Sequence, residues 1–95
     1  MVRLRPQADA DLEEAAHWYE EQVDGLGSEF LDESLRTISR ISKHPASYPL
    51  VFQNVRRAMT RRFPFCVYFI EENDEIVVIA VMHGTRHPSR WQGRT

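Results

Sequence analysis

This chain of 95 residues lacks the features that place many small proteins outside the cell or in a membrane. Its one cysteine, Cys66, has no partner for an internal disulfide, which indicates a reducing compartment. The first residues contain no apolar segment of the signal-peptide type, and the longest apolar run, residues 76–82, is far shorter than the roughly 20 residues of a membrane span. We therefore expect a cytoplasmic protein that forms one domain over residues 1–95 and does not bind a membrane.

The sequence also lacks the short motifs of the common enzyme classes. It has no glycine-rich phosphate loop, no G-x-S-x-G and no paired cysteines for a metal. His83 and His87 have the spacing of metal ligands, but Gly84 and Pro88 exclude a helix there, and two imidazoles at loop spacing do not predict a site. We expect neither a metal nor a cofactor.

Acidic residues are absent from the middle of the chain. Residues 36–70 carry six arginines and one lysine but no Asp or Glu, a sum of +7, whereas residues 1–35 sum to −8. The net charge of −2 therefore hides a dipolar chain. A positive block attracts anionic partners, so we expect Arg36, Arg40, Arg56 and Arg57 to meet acidic residues of a partner protein. The alternative is that these charges only protect a solvated edge strand from pairing with another strand.

Apolar periodicity predicts a helical hairpin after a short first strand over residues 2–6. The residues DGLG at 24–27 break the first helix, Ser28 can cap the second, and His44-Pro45 ends it. The apolar faces predicted by steps of three and four residues are Ala8, Leu12, Ala15 or Ala16, Tyr19 and Val23 in the first helix, and Leu31, Leu35, Ile38 and Ile41 in the second.

The second half of the chain predicts strands over residues 55–61, 63–72 and 75–84, after a loop over 45–54. A two-residue turn at 73–74 would set Phe69 opposite Val78 and Val67 opposite Ala80. Both faces of this hairpin are apolar, so the helices can cover one face and a partner or a second copy the other. The predicted fold is α+β, in the order β-α-α-β-β-β, with a helical hairpin packed on a small, mainly antiparallel sheet.

A polar cluster, VMHGTRHPSRW at 81–91, follows the most apolar strand. It can be a catalytic site, a partner-binding patch or an ordinary chain end. As a contact surface it would be anchored by Arg86 and Trp91, because Arg and Trp are frequent anchors of interfaces. Trp91 would then be exposed, although it can instead be a lid on the core. The candidate target-binding residues are His83, Arg86, His87, Arg90 and Trp91.

Taken together, these segments resemble the RelE/ParE superfamily of type II toxin–antitoxin toxins, in the ParE-like style. The resemblance covers nearly the whole chain and rests on ADLEEAAHWYEE, on a second helix ending at KHP, on FPF-x-VYF and on H-G-x-R-x-P after the last strand. It implies a cytoplasmic toxin of a plasmid-stabilisation type that inhibits DNA gyrase by binding and is neutralised by a cognate antitoxin. It implies no catalytic residues and no direct sequence-specific nucleic acid binding.

The same superfamily contains ribosome-dependent mRNA endonucleases of the RelE type. At the positions of their catalytic groups this chain has Phe65, Arg86 and Trp91. Of these three residues, only Arg86 matches the group expected at its position. If the chain were an RNase, it would use Arg61 or Arg62 with Arg86, and His87 as general base. A third hypothesis is a non-toxic relic that only binds antitoxin.

The resemblance also implies an antitoxin-binding surface, in a homo- or hetero-oligomer. We expect the antitoxin to cover an apolar sheet face or the outer groove of the helical hairpin and to place acidic residues on the positive block. The residues predicted for this contact are Arg36, Arg40, Arg56, Arg57, Val67, Phe69 and Val78.

Overall fold

The computed structural model describes all 95 residues, and it confirms the α+β class with a helical hairpin on a mainly antiparallel sheet. The elements are β1 (Val2–Leu4), α1 (Pro6–Gln22), α2 (Leu26–Lys43), a 3₁₀ turn (Pro45–Ser47), β2 (Leu50–Phe52), β3 (Val55–Met59), β4 (Phe65–Glu72), β5 (Glu75–His83) and α3 (Ser89–Gln92). The sheet order is β1-β5-β4-β3-β2, with only β1 parallel to its neighbour. Strand β2 lies in the stretch predicted as loop. None of the helices has the length and hydrophobicity that crossing a bilayer requires.

The turn between α1 and α2 depends on two glycines and one carboxylate. Gly25 has a φ of 86°, which a residue with a side chain rarely adopts. A Cβ on Gly27 would lie 2.5 Å from the Ala16 carbonyl oxygen, so the two helices approach closely there. Glu20 accepts hydrogen bonds from both glycine N–H groups, at 2.8 and 3.0 Å. Helix α2 therefore begins at Leu26, and the predicted cap at Ser28 is wrong.

The buried face of α2 is rotated from the predicted one. Leu31 and Leu35 are 37% and 58% exposed, because the helix instead turns Phe30 into an aromatic cluster with Tyr19 and Phe63. Phe30 lies 5.3 Å from each of these rings, measured between centroids. The buried residues of α2 are Gly27, Phe30, Glu33, Ser34, Thr37, Ile38 and Ile41, so the prediction holds for the two isoleucines alone.

The β4–β5 hairpin contains a β-bulge that the sequence did not indicate. The turn is as predicted, with positive φ at Asn73 and Asp74. Phe69 also lies opposite Val78 as predicted, but the register then shifts by one residue, so that Val67 lies opposite Val81 rather than Ala80. The extra residue places Val78 and Val81 in the core beneath the helices. Ile79 and Ala80 both belong to the core on the other side.

The helical hairpin covers the face of the sheet that carries Val67, Phe69 and Val78. All three side chains are 0% exposed. They belong to the core cluster of Phe30 and Ile41 of α2. The expectation that these three residues contact an antitoxin is therefore wrong, because the protein's own helices occupy that face.

The other face, which we call the second face, is covered by residues of the same chain. Its buried residues are Val55, Cys66, Tyr68, Ile70, Val77, Ile79, Ala80, Met82 and Trp91. Strand β2 supplies Val51 and Phe52, and α3 supplies the indole. The apolar surface that predicted a partner on the sheet is thus buried within the monomer.

Candidate functional site

A surface cleft lies where β5 has β4 on one side but no strand on the other. Strand β1 ends at Leu4, opposite Val78, so this edge of β5 is unpaired from Ile79 to His83. The cleft has a volume of about 470 Å³ and lies between α1, this edge of β5 and the residues that follow the strand. We call it the β5 cleft. It is lined by Asp11, Glu14, Ala15, Trp18, Tyr19, Phe65, Val81, Met82, His83, Thr85, Arg86, Arg90 and Arg94.

An ion pair closes the inner end of the β5 cleft. Arg94 donates to both carboxylate oxygens of Asp11, at 2.6 and 3.3 Å, and to the Ile79 carbonyl at 3.1 Å. Asp11 also accepts from the Val81 N–H at 3.0 Å. The side chains of Arg94 and Asp11 are 22% and 15% exposed, and each charge has its counter-ion, as burial requires. The pair therefore satisfies two backbone groups that a neighbouring strand would otherwise bond.

Aromatic side chains form one wall of the cleft. Trp18 is 55% exposed, whereas Tyr19 packs into the aromatic cluster, 4.9 Å from Phe63 between ring centroids. Burial raises the pKa of the Tyr19 hydroxyl. Phe65 packs edge-to-face against His83 at 5.6 Å. This wall is a fixed apolar surface with one accessible indole.

Two histidines fix the loop that follows β5. His83 Nδ1 accepts from the Thr85 N–H at 3.1 Å, and His87 Nδ1 accepts from the Ser89 N–H at 3.2 Å. The Gly84 N–H donates to the Pro64 carbonyl at 2.8 Å. The loop is thus fastened at both ends and to the residue before β4.

Arg86 and Arg90 are presented by this fastened loop. Both are exposed, and neither guanidinium has an ion pair or hydrogen-bond partner in the chain. With His83 and His87 they make up four of the five residues predicted to contact a target. The structure places His83, Arg86 and Arg90 in the lining of the β5 cleft.

Trp91, the fifth predicted residue, is not a surface residue. It is 4% exposed and stacks on Tyr68, with ring centroids 4.3 Å apart. Phe52 meets its edge at 6.0 Å. The second face is apolar and the helices lie on the other side, so the indole serves as its lid. The prediction of Trp91 as a contact anchor is therefore wrong.

The second face also carries polar groups that the sequence reasoning did not connect. Arg57 on β3 lies opposite Tyr68 on β4, and Cys66 is two residues from Tyr68 on the same face. Burial raises the pKa of both the Cys66 thiol and the Tyr68 hydroxyl, more than Arg57 lowers it. Alternation along β4 could have grouped Cys66 with Tyr68. His83, by contrast, pairs with Phe65 rather than Cys66, so no thiol–imidazole pair exists.

Part of the positive block is bound to one buried carboxylate. Glu33 of α2 is 5% exposed and accepts from the Arg61 backbone N–H at 2.8 Å. Arg36 and Arg40 both contact it at 3.4 Å. The Arg61 N–H is the main cause that lowers the pKa of Glu33, assisted by Arg40 and Thr37 and opposed by burial. This cluster fixes the β3–β4 loop to α2.

Two further arginines of the block have structural contacts. Arg56 donates to the Tyr48 carbonyl at 2.6 Å, and its Nε lies 3.7 Å from Glu71. Arg62 pairs with Glu29 of α2. Of the four arginines predicted for the antitoxin, Arg36 alone is largely exposed, at 61% of its side chain. The arginines of the block are therefore divided among separate contacts on α2, β3 and the β3–β4 loop.

The candidate ribonuclease residues do not form a connected set. No hydrogen bond or ion pair joins any two of the side chains of Arg61, Arg62, Arg86 and His87. His87 uses Nδ1 as an acceptor for Ser89. No group of three or more His, Cys, Asp or Glu side chains is placed to hold a metal ion.

Comparisons with known proteins agree with this fold. A family model described as "ParE toxin of type II toxin-antitoxin system, parDE" matches residues 2–88. A solved structure from the "Chromosomal ParDE TA system from P. aeruginosa" superimposes with a TM-score of 0.75 over 86% of this chain and 92% of that one, at 17% identity. At that identity the likeness concerns the fold. No curated protein matches the sequence.

Proposed function

Since the chain belongs to the ParE toxin family of type II toxin–antitoxin systems, we propose that it binds DNA gyrase, traps the cleaved DNA complex and is neutralised by a cognate antitoxin. The observation that carries this proposal is the pair of exposed arginines, Arg86 and Arg90, on a loop fastened at both ends. Because the backbone of this loop is already fixed, it loses little conformational freedom when these unpaired guanidiniums bind a partner. They are therefore suited to anchor a protein interface.

A contact function fits this loop better than a catalytic one. Poisoning by binding needs a rigid, charged surface and no proton transfer. The nuclease alternative needs a base grouped with its cations, yet the ring of His87 has hydrogen bonds to Ser89 alone. It would also use Arg61 or Arg62, but no contact joins either side chain to Arg86, and Arg62 is paired with Glu29. These contacts favour the gyrase hypothesis over an mRNA endonuclease.

The antitoxin is expected on surfaces that remain exposed. The outer side of the helical hairpin carries the exposed apolar side chains Leu31 and Leu35, one turn apart on α2. Arg36 follows them on the same helix. An amphipathic segment with acidic flanks would complement this surface. This position replaces the sheet face, which the structure closes.

The test compares Arg86→Ala with Arg3→Ala, an exposed arginine on β1. Removal of an interface arginine costs about 2 kcal/mol of binding, roughly a thirtyfold loss of gyrase affinity. We expect Arg86→Ala to lose gyrase inhibition in a supercoiling assay, with unchanged melting, while Arg3→Ala inhibits like the wild type. Codon-specific cuts in ribosome-bound mRNA would instead select the endonuclease. No effect of the wild-type chain on growth, gyrase or mRNA would select the relic.

A further inference from the structure

Cations collect where the C-terminal half of α2 meets the β3–β4 loop, residues 60–64. Residues 34–70 contain no Asp or Glu. Glu33 is 5% exposed, and it is the one carboxylate in contact with these cations besides the Glu29 that pairs with Arg62. We give the name α2 patch to the remaining cations of this region, which are Arg36, Arg40, Lys43 and Arg61.

Glu33 holds two guanidiniums of the α2 patch at defined positions. Its Oε1 lies 3.4 Å from Nε of Arg36, and its Oε2 lies 3.4 Å from a terminal nitrogen of Arg40. That nitrogen also donates to the Thr37 hydroxyl at 2.9 Å. The Arg61 N–H donates to the same carboxylate at 2.8 Å, which brings the loop to this point. Since a guanidinium has several N–H donors, both arginines keep donors that no group of the chain bonds.

The other two cations of the patch have no partner in the chain. The side chain of Arg61 is exposed, and only its backbone is bonded to Glu33. Lys43 is exposed in the last turn of α2, one turn after Arg40. Arginines that one buried carboxylate positions lose less freedom on binding than free ones do. The patch therefore combines two oriented guanidiniums with two free charges.

The α2 patch and the loop that carries Arg86 lie at the same end of the sheet. The Gly84 N–H donates to the Pro64 carbonyl, so the β3–β4 loop and the loop after β5 are neighbours. Helix α2 packs on β3 and β4, whereas α1 packs on β5. The patch is thus on the α2 side of this end and Arg86 on the β5 side. One toxin molecule can contact a protein with the first surface and a second partner with the other.

The composition of the patch suits a phosphate backbone better than a peptide. A protein interface needs apolar anchors, but the exposed Leu35 lies about 140° around the helix from Arg40, five residues away. Phosphates need only cations, and guanidiniums bond phosphate oxygens in pairs. Asp32 is exposed one turn before Arg36 and would repel a phosphate. The contact therefore runs from Arg36 towards Lys43.

We propose that the α2 patch binds, without sequence preference, the phosphate backbone of the DNA that gyrase holds, and that Glu33 positions Arg36 and Arg40 for this contact. The inference rests on the proposed function, because it takes gyrase-bound DNA as the occupant. A toxin that contacts both molecules binds their complex more tightly than it binds gyrase alone. By linkage it raises the affinity of gyrase for DNA by the same factor, and this keeps the cleaved complex together.

Fluorescence anisotropy of a short labelled DNA duplex of arbitrary sequence, titrated with the full chain, measures the contact directly. If the patch neutralises about three phosphates, affinity should fall roughly fortyfold between 50 and 200 mM salt. Arg61→Ala should reduce this fall to about twelvefold, because one phosphate contact is lost, while Arg3→Ala should leave it unchanged. Absence of binding at 50 mM salt, or an unchanged salt dependence in Arg61→Ala, would overturn the inference.

Two glutamine substitutions separate positioning from net charge. Glu33→Gln and Glu29→Gln each remove one negative charge beside arginines, so charge alone would strengthen DNA binding in both. We expect Glu29→Gln to bind the duplex about threefold more tightly than the wild type. Glu33→Gln should bind it about threefold more weakly, because Arg36 and Arg40 lose their common acceptor. Tighter binding by both variants, with circular dichroism like the wild type, would overturn the positioning role of Glu33.

Binding to gyrase with and without DNA identifies the source of the phosphates. Arg61→Ala should bind DNA-free gyrase like the wild type but the gyrase–DNA complex about threefold more weakly, whereas Arg86→Ala should lose affinity for both. Wild-type affinity of Arg61→Ala for the complex would overturn the inference and leave gyrase inhibition intact. If the wild-type chain did not bind gyrase, the proposed function would fail, while duplex binding would still support the patch.

Other occupants of the patch give different results in the same assays. Loss of antitoxin affinity in Arg61→Ala, with duplex binding like the wild type, would assign the patch to the antitoxin. An RNA duplex bound at least tenfold more tightly than the DNA duplex would assign it to RNA. Either result would overturn the inference.

Discussion

On one face of the sheet, α1 and α2 pack with the strands in a cluster of 14 buried residues; on the other, β2 and α3 help to enclose a cluster of nine. The first cover consists of two helices of 17 and 18 residues with regular hydrogen bonds. The second depends on a four-residue helix, the indole of Trp91 and the contacts of the chain end. Arg94 bonds Asp11, and Arg5 donates to the Arg94 carbonyl. Both faces are buried, but the helices that cover the first are held by more interactions than the chain end that covers the second.

The two faces should therefore respond differently to loss of their largest side chain. A helix cover can open only with the whole domain, because α1 and α2 supply half of the buried residues of the larger core cluster. The chain end can open locally, since few contacts attach it. Unfolding of the first face is expected to be global, and unfolding of the second face partial.

The largest effect is expected for Phe30→Ala, which breaks the first face. Phe30 is 0% exposed among Tyr19, Phe63 and Phe65, so its removal leaves a cavity that the helices cannot fill. A buried phenylalanine costs about 3–5 kcal/mol of unfolding free energy when truncated to alanine. Urea denaturation measures the loss. Leu35→Ala, on the same helix but 58% exposed, is the control and should stay within about 0.5 kcal/mol.

A smaller effect is expected for Trp91→Ala, which breaks the second face. Truncation of the lid should cost about 2 kcal/mol, below the range for an enclosed aromatic, because the freed chain end and Tyr68 gain access to water. Hydrogen exchange should rise in β2 and in residues 89–95 while α1 and α2 keep their protection. Trp18→Ala, which removes an exposed indole, is the control and should leave hydrogen exchange in β2 and in residues 89–95 unchanged. Loss of protection throughout the helices would show that the two faces unfold as one unit.

Much of this fold could be predicted because its signals are local. The helix break at DGLG, the Pro-ended α2, the two-residue turn at 73–74 and the long apolar strands each depend on neighbouring residues. The buried face of α2 was harder to predict from the sequence, because its leucines and Phe30 form two overlapping apolar stripes along the helix. Packing against the aromatic cluster decides which of the two stripes is buried. Such tertiary contacts cannot be predicted from the periodicity of the sequence.

The candidate site was predicted only in part, for the same reason. The sequence identified the loop with Arg86 and Arg90, whose composition differs from its surroundings. It could not show that β1 stops at Leu4 or that Arg94 reaches Asp11, which is 83 residues away in the chain. Nor could it place Trp91, because an aromatic residue near a chain end suits a lid and a contact equally. The bulge in β5 likewise depends on both faces being packed at once.

The next prediction concerns Glu33, whose carboxylate holds the β3–β4 loop against α2. Glu33→Gln should cost about 1–3 kcal/mol at pH 7, since the charged acceptor of the Arg61 N–H is lost. The folded pKa of Glu33 is lowered, so its contribution is complete above the unfolded pKa, roughly pH 4, and is lost as the pH falls through the lower folded pKa. The difference in the free energy of unfolding between the wild type and the variant should therefore be smaller at pH 3.

Urea denaturation at pH 7 and pH 3 measures that gap. Glu13→Gln, at an exposed position of α1 without an ion pair, is the matched control and should show no such dependence. A gap of the same size at both pH values would mean that Glu33 acts through packing and not through its charge.

The smallest effect is expected for His87→Ala, on the loop outside both faces. The substitution removes a hydrogen bond to the Ser89 N–H at an exposed site, so stability should change by about 0.5 kcal/mol or less. If the loop acts by contact, toxicity in a growth assay should persist, because Arg86 and Arg90 remain presented. A general base, by contrast, contributes roughly a hundredfold to ten-thousandfold in rate, and its removal would silence a nuclease. His44→Ala, an exposed histidine beside the 3₁₀ turn, controls for loss of an imidazole. A chain that folds normally, loses toxicity with His87→Ala and keeps it with His44→Ala would make the loop catalytic and reverse the functional proposal.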